Sequence, residues 1–332
     1  MKTVHVGLVA DPASPTEIAW RMSDLESPGG VAGDYWDIEV VSEPFTTGSE
    51  DVDIALARLR DHARQHEWDL VVGLTELPLR DDHGRYLLFE TDPQRRTAMV
   101  SLPAFGGLGM HSRTRDAVRA LVSGMADAAS QDRHWVPLPR VTGRWRLLSG
   151  MVFANRPWLL VPGLKSALVA ALATGAVATI NSTVWQLASS LSWWRLAIAT
   201  IGSVALVVAW LVIDGELWDR PENDSAHDRE RSRLYNTSTL VSLTVGVLIC
   251  YFALYVVNLG WALFILDPAV ISGELHASLG FGDLFVLAWF VASAATVGGG
   301  LGSGLESDEA IRAAAYSKRE EERRNRLANK QA

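Results

Sequence analysis

Four long apolar runs in the second half of the chain leave few folds open to it: Ser166–Leu187, Leu191–Ile213, Leu240–Leu266 and Phe281–Leu301. Each holds roughly 20 or more mostly apolar residues, enough for a helix to cross a bilayer core of about 30 Å. Helices satisfy their own backbone hydrogen bonds in lipid. Residues 159–304 are therefore expected to form an all-α four-helix transmembrane bundle, with spans at about 166–187, 191–213, 240–266 and 281–301.

Charge orients those spans. Arg140, Arg144, Arg146, Arg156 and Lys165 precede the first run, and Arg220, Arg229, Arg231 and Arg233 lie between the second and third. Arg312, Lys318, Arg319, Arg323, Arg324, Arg326 and Lys330 follow the fourth, whereas the two remaining turns offer only Arg195. Basic residues in short flanks mark the cytoplasmic face. A multi-pass protein with both termini cytoplasmic is expected. Trp158, Trp185, Trp193, Trp194, Trp218 and Trp261 fall near span ends, where indoles favour the interface.

Composition divides the 332 residues at about 150. The net charge of −8 conceals acidic first 110 residues and Arg-rich membrane flanks, a pattern suited to topology and anionic lipid rather than nucleic acid. Cys250 is the one cysteine, so an intrachain disulfide, a Cys-based zinc cluster and a CxxC redox pair are excluded. The chain opens in a strand-like run, and no signal peptide is expected. Only four of the 30 basic residues are Lys, a bias of high-GC bacteria that points to a bacterial inner (cytoplasmic) membrane.

Before the spans the pattern reads β-α-β-α-β. Strands are expected at Thr3–Ala10, Trp36–Val41 and Asp69–Leu74, with helices over residues 14–26 and 51–67. Ser14-Pro15-Thr16-Glu17 has the form of a capping box with Ser14 as N-cap. Short strands at Tyr86–Glu90 and Thr97–Leu102 and a helix at about 114–130 follow. Residues 1–131 are expected to form a cytoplasmic three-layer α/β domain, with a mostly parallel sheet and an antiparallel edge. Residues 132–158 read as a basic juxtamembrane linker, whose Trp145, Leu147, Leu148, Met151 and Phe153 suit either an interfacial segment or a plain tether. Residues 305–332 read as a charged cytoplasmic helical tail.

Candidate sites are few. Open parallel sheets bind ligands beyond the carboxyl ends of their strands, which places Asp11, Thr46, Thr47, Ser49 and Glu76 at one edge as a ligand cleft; the same residue types also serve as turn and cap residues. His62 and His66 stand one helical turn apart, a spacing that can hold zinc, but H-E-x-x-H is absent and core-bordering histidines are the simpler reading. No dinucleotide fingerprint follows the first strand and no P-loop is present. Gly175, Gly300 and Gly304 suit close helix packing, while Asn181, Thr183 and Asn258 suit helix–helix hydrogen bonds. The span centres hold no ionisable residue, against a coupled transporter.

Asp69-Leu-Val-Val-Gly-Leu-Thr-Glu-Leu-Pro-Leu79, Leu87-Leu-Phe-Glu-Thr91 and Ala98-Met-Val-Ser-Leu102 resemble the successive strands of archaemetzincins, which precede the zinc-binding helix of those metalloproteases. The helix that should carry the metal, residues 115–125, has neither His nor Glu. The resemblance thus implies a metalloprotease-like scaffold without its catalytic metal. Residues 302–316 resemble the C-terminal part of multi-pass membrane proteins of actinobacteria, some labelled methylenetetrahydrofolate dehydrogenase. The Tyr-x-x-x-Lys pair and Gly-rich dinucleotide loop of that enzyme are absent from the soluble half, so nicotinamide chemistry is not expected.

The expected function is a non-catalytic regulatory domain tethered to the bilayer, one that senses a ligand or docks a cytoplasmic partner, with no cofactor and with homo-oligomerisation open. The alternatives are a membrane-tethered enzyme using the cleft near Asp11 and Glu76, and a channel or transporter subunit.

Overall fold

The computed structural model describes residues 3–26, 35–46, 52–81, 85–126, 134–139, 142–221, 226–267 and 280–302. The chain divides at Asn155/Arg156 into two compact units.

The first unit is built on a seven-stranded mixed sheet. Its strands are β1 (Thr3–Ala10), β2 (Tyr35–Ser42), β3 (Leu70–Thr75), β4 (Leu79–Arg80), β5 (Tyr86–Asp92), β6 (Thr97–Ser101) and β7 (His134–Pro137). The order is β2-β1-β3-β6-β5-β4, with β7 paired to β5. β2, β1, β3 and β6 run parallel, and β5 turns antiparallel to β6, β4 and β7. β3 is buried on both faces throughout, as befits a central parallel strand made of Leu and Val.

The period of two divides the core cleanly. Val4, Val6, Leu8, Leu70, Val72, Leu74, Ala98 and Val100 face α1 (Ser14–Trp20) and α3 (Met110–Ala126). Val9, Val71 and Met99 face the other way, toward α2 (Val52–Gln65). Three layers result. Two glycines are required on the α2 face: a Cβ on Gly7 would lie 2.0 Å from the Trp68 ring, and one on Gly73 would lie 2.8 Å from Phe45.

The sheet unit does not stop at residue 131. β7 adds to the sheet through β5, and α4 (Thr142–Ala154) packs on the 3-10 turn Leu102–Phe105 that follows β6. Leu147 is fully buried there, with Met151 and Ala154 nearly so. Gly150 lies so close that a Cβ would come 2.1 Å from the Pro103 carbonyl oxygen. The segment expected to be a linker is therefore part of the domain, because its apolar i, i+4, i+7 face finds a surface there.

Among the described residues of the second unit, three helices are long and apolar enough to cross a membrane: α8 (Trp193–Asp214), α9 (Ala226–Ile265) and α10 (Phe281–Gly302). Their outward faces carry exposed Ile201, Ile213, Phe252 and Phe264, surface that suits lipid. The first expected span is not one helix. The short helix α5 (Leu160–Gly163) leads into α6 (Lys165–Thr179), which ends at Ile180. Asn181 then caps α7 (Ser182–Ser190), its side chain accepting the Thr183 N–H at 2.9 Å. Asn181 and Thr183 thus join two helix segments end to end instead of bonding to a neighbouring helix.

α6 and α7 together follow α10 in antiparallel fashion. Ala167 and Ala171 of α6 meet Gly299 near the end of α10, whereas Ala188 of α7 clusters with Leu284, Leu287 and Val291 near its start. The expected charged tail, 305–332, lies outside the described residues.

Candidate functional site

The carboxyl ends of β1, β3 and β6 share one edge of the sheet. β2 lies on one side of β1 and β3 on the other, so the chain reverses its winding between β1 and β3. That is the position where doubly wound sheets hold ligands. Asp11 occupies it, fully buried. Its carboxylate accepts the Thr75 hydroxyl at 2.7 Å, the Thr46 hydroxyl at 3.1 Å and the Phe45 N–H at 3.3 Å. Its own N–H donates to the Leu74 carbonyl at 3.0 Å, and its carbonyl accepts the Thr16 hydroxyl at 2.9 Å. Phe45, also fully buried, lies over Gly73. Asp11 is therefore a hub that ties the segment after β2 to the ends of β1 and β3.

Glu76 sits just beyond β3, half-buried. Its Oε1 accepts the Ser14 N–H at 3.2 Å, at the start of α1. The N-cap is Ala13, with φ 77°, and it makes no side-chain cap bond. Ser14 is thus the first helical residue and not the cap: a carboxylate from 62 residues away takes the donor that a local capping box was expected to satisfy. Of the expected cleft, Asp11 and Thr46 are in direct contact and Glu76 borders α1. Thr47 and Ser49 lie outside the described residues.

His62 and His66 diverge. His62 Nε2 lies 3.5 Å from Glu43 and His66 Nδ1 lies 3.5 Å from Glu39, each facing a different carboxylate of the β2 segment. His66 also stacks on Trp68 at 4.5 Å between ring centroids, and the Trp68 indole donates to Glu39 at 2.7 Å. Among the described residues no group of three His, Cys, Asp or Glu converges to hold a metal ion.

A second constellation at the same edge escapes motif reading. β6 runs through the Leu102–Phe105 turn into Gly106-Gly107-Leu108-Gly109 and then α3. Gly106 and Gly109 adopt φ of 79° and 68°, the left-handed region where glycine is unstrained. Arg113 of α3 and Arg146 of α4 converge on this loop. A Cβ on Gly106 would lie 3.1 Å from Arg146 Cγ, 3.5 Å from Ser149 Oγ and 3.6 Å from Arg113 Nη1. Arg113 donates to the Phe105 carbonyl, and the Arg146 guanidinium lies 6.0 Å from the Phe105 ring centroid. Burial, and then the charge of Arg113, hold the Arg146 guanidinium below its usual range.

Searches against protein-family models, curated proteins and solved structures found no match.

Within the membrane unit the polar side chains knit helices together. Thr200 of α8 accepts the Trp289 indole N–H at 2.7 Å and lies 3.1 Å from Tyr251 Oη and 3.3 Å from Ser293 Oγ; Tyr251 and Ser293 are 2.9 Å apart. Three helices thus share one cluster, none of it singled out by sequence. Asn258 is buried against Gly175, where a Cβ would come 2.2 Å from its Oδ1, and bonds within its own helix to the Leu254 carbonyl at 2.8 Å. Gly299 takes the close contact with α6. Gly300 is one residue further along α10, and Gly304 lies outside the described residues.

Proposed function

We propose that this is a four-crossing protein of the bacterial cytoplasmic membrane, whose α/β unit faces the cytoplasm as a non-catalytic module that binds a ligand or partner. The observation that carries the non-catalytic reading is the hydrogen-bonding of Asp11. The position where a doubly wound sheet would hold substrate contains a carboxylate engaged by the Thr75 and Thr46 hydroxyls and the Phe45 N–H. An acid or base at work needs to reach the proton it moves, and this one faces protein donors.

Charge and geometry together support this crossing number. The Arg-rich segments before α6, between α8 and α9 and after α10 share one face only if an even number of crossings separates them. α8 supplies one between Lys165 and Arg220, and on this reading α6 and α7 supply another. Their run along the length of α10 supports this. Fifteen and nine residues give about 36 Å of helix at ~1.5 Å per residue, enough for the hydrocarbon core. α4 takes no part, since its apolar face is covered by the sheet unit.

Native mass spectrometry of the intact protein released from mild detergent tests the reading. The expected spectrum shows the bare chain or its oligomer, with at most a bound lipid, anion or small organic ligand. A stoichiometric metal ion or redox cofactor would overturn it in favour of a tethered enzyme.

A further inference from the structure

We propose that the Gly106–Gly109 loop, Arg113 and Arg146 form a binding site for a phosphate-bearing group. This names a ligand class for the α/β module described above and is tested separately from it. The two arginines come from helices α3 and α4, 33 positions apart, yet both reach the space around Gly106. Four other arginines of the unit sit beside aspartates: Arg64 by Asp61, Arg85 by Asp81, Arg95 by Asp92 and Arg115 by Asp24. Arg113 and Arg146 have no carboxylate within ion-pair distance among the described residues. Each has the other for a neighbour.

Arg146 adds a second sign. Its Nε is buried without a hydrogen-bond partner, while α4 is pinned by Leu147 and Gly150, one and four residues further along the helix. The protein thus holds a guanidinium in place beside a like charge, an arrangement that an anion between them would relieve. A tetrahedral phosphate accepts from several directions at once, which suits two guanidinium forks approaching from different helices. The hydroxyls of Ser112 and Ser149 stand beside the same loop. Ser149 Oγ accepts the Gly107 N–H at 3.4 Å, and Ser112 Oγ donates to the Gly109 carbonyl at 3.0 Å. The site lies past the carboxyl end of β6, on the ligand-binding edge of the sheet.

The phosphate can come from a soluble ester or from a lipid headgroup, since α4 ends at Ala154 and the apolar half begins at Leu159. Full-length protein separates the two sources. In detergent, inorganic phosphate is titrated against chloride at constant ionic strength, reading thermal unfolding and hydrogen exchange over residues 105–113 and 142–154. In nanodiscs, phosphatidylglycerol is compared with phosphatidylcholine by the same exchange measurement. Protection by inorganic phosphate assigns a soluble source; protection by phosphatidylglycerol alone assigns the headgroup. In either case Arg113→Gln/Arg146→Gln should weaken the response about tenfold or more, the loss expected for hydrogen bonds to a charged group. Arg113→Lys/Arg146→Lys, which keeps charge but not the fork, should retain part of it. If the double Gln variant does not fold, Arg113→Gln alone, at an exposed side chain, carries the test. A wild-type response that equals the variant's in both arms, or no response in either, would overturn the proposal.

Discussion

Replacing Asp11 by Ala removes the acceptor of three donors. Thr75 is fully buried and Thr46 nearly so, so their hydroxyls lose their partner without gaining water. A buried donor left unmade costs about 1–3 kcal/mol; allowing for partial relaxation of the Phe45–Thr46 segment, the sum is about 3 kcal/mol. Asp11→Asn keeps one acceptor oxygen. If that oxygen takes the two threonine hydroxyls, the new amide faces the Phe45 N–H, and the expected cost is about 1–2 kcal/mol. Hydrogen exchange on the full-length protein in detergent reads this directly, because core amides of β1 and β3 exchange through opening of the unit. With about 1.4 kcal/mol per tenfold, Asp11→Ala should speed that exchange about a hundredfold and Asp11→Asn about tenfold, while amides of α8 stay unchanged as an internal reference. Unchanged exchange of β1 and β3 in Asp11→Ala would refute a structural role for the carboxylate. So would a variant more stable than the parent, the common result of substituting a strained functional carboxylate.

Other perturbations follow from close approaches and charge. Gly150→Ala puts a methyl on the Pro103 carbonyl and should destabilise the α4 contact by about 1–3 kcal/mol, seen as faster exchange over residues 142–154. Gly175→Ala should lower the melting temperature in detergent by colliding with Asn258, and the penalty should shrink in an Asn258→Ala background; an additive double-mutant cycle would refute the contact. The Arg115 side chain, by hydrogen bond and charge, holds the Asp24 carboxyl below its ordinary value. Stability from this pair is present above the unfolded-state value and is lost as pH falls through the lower, folded one. Arg115→Gln should move the Asp24 titration, followed by NMR, back up.

What the sequence made legible is what local pattern controls. Val and Leu runs at Thr3–Ala10 and 69–74 place β1 and β3 within a residue, and the β-α-β-α-β rhythm predicts the parallel half of the sheet. Failures come where a distant group decides. Ser14 looks like an N-cap until Glu76 arrives from the end of β3. α4 reads as a tether because the surface that buries Leu147 belongs to residues 102–105. Averaged hydropathy hides the break at Ile180, although Asn181-Ser182-Thr183 is itself a helix-start signal. The Arg113–Arg146 pair has no sequence spacing to betray it; the one local signal there, Gly106-Gly107-Leu108-Gly109 between a strand and a helix, matches no phosphate-binding motif.

Cysteine accessibility tests directly whether a cytoplasmic α/β unit is held by four crossings. In a Cys250→Ser background, single cysteines at Ser23, Ser190, Pro221 and Gly280 are exposed to a membrane-impermeant maleimide in intact cells and again after permeabilisation. Ser190→Cys and Gly280→Cys should label in intact cells, and Ser23→Cys and Pro221→Cys should label only after permeabilisation. Labelling of positions 23 and 221 from opposite sides would mean that α6 and α7 do not cross, and labelling of position 23 in intact cells would place the α/β unit outside the cell.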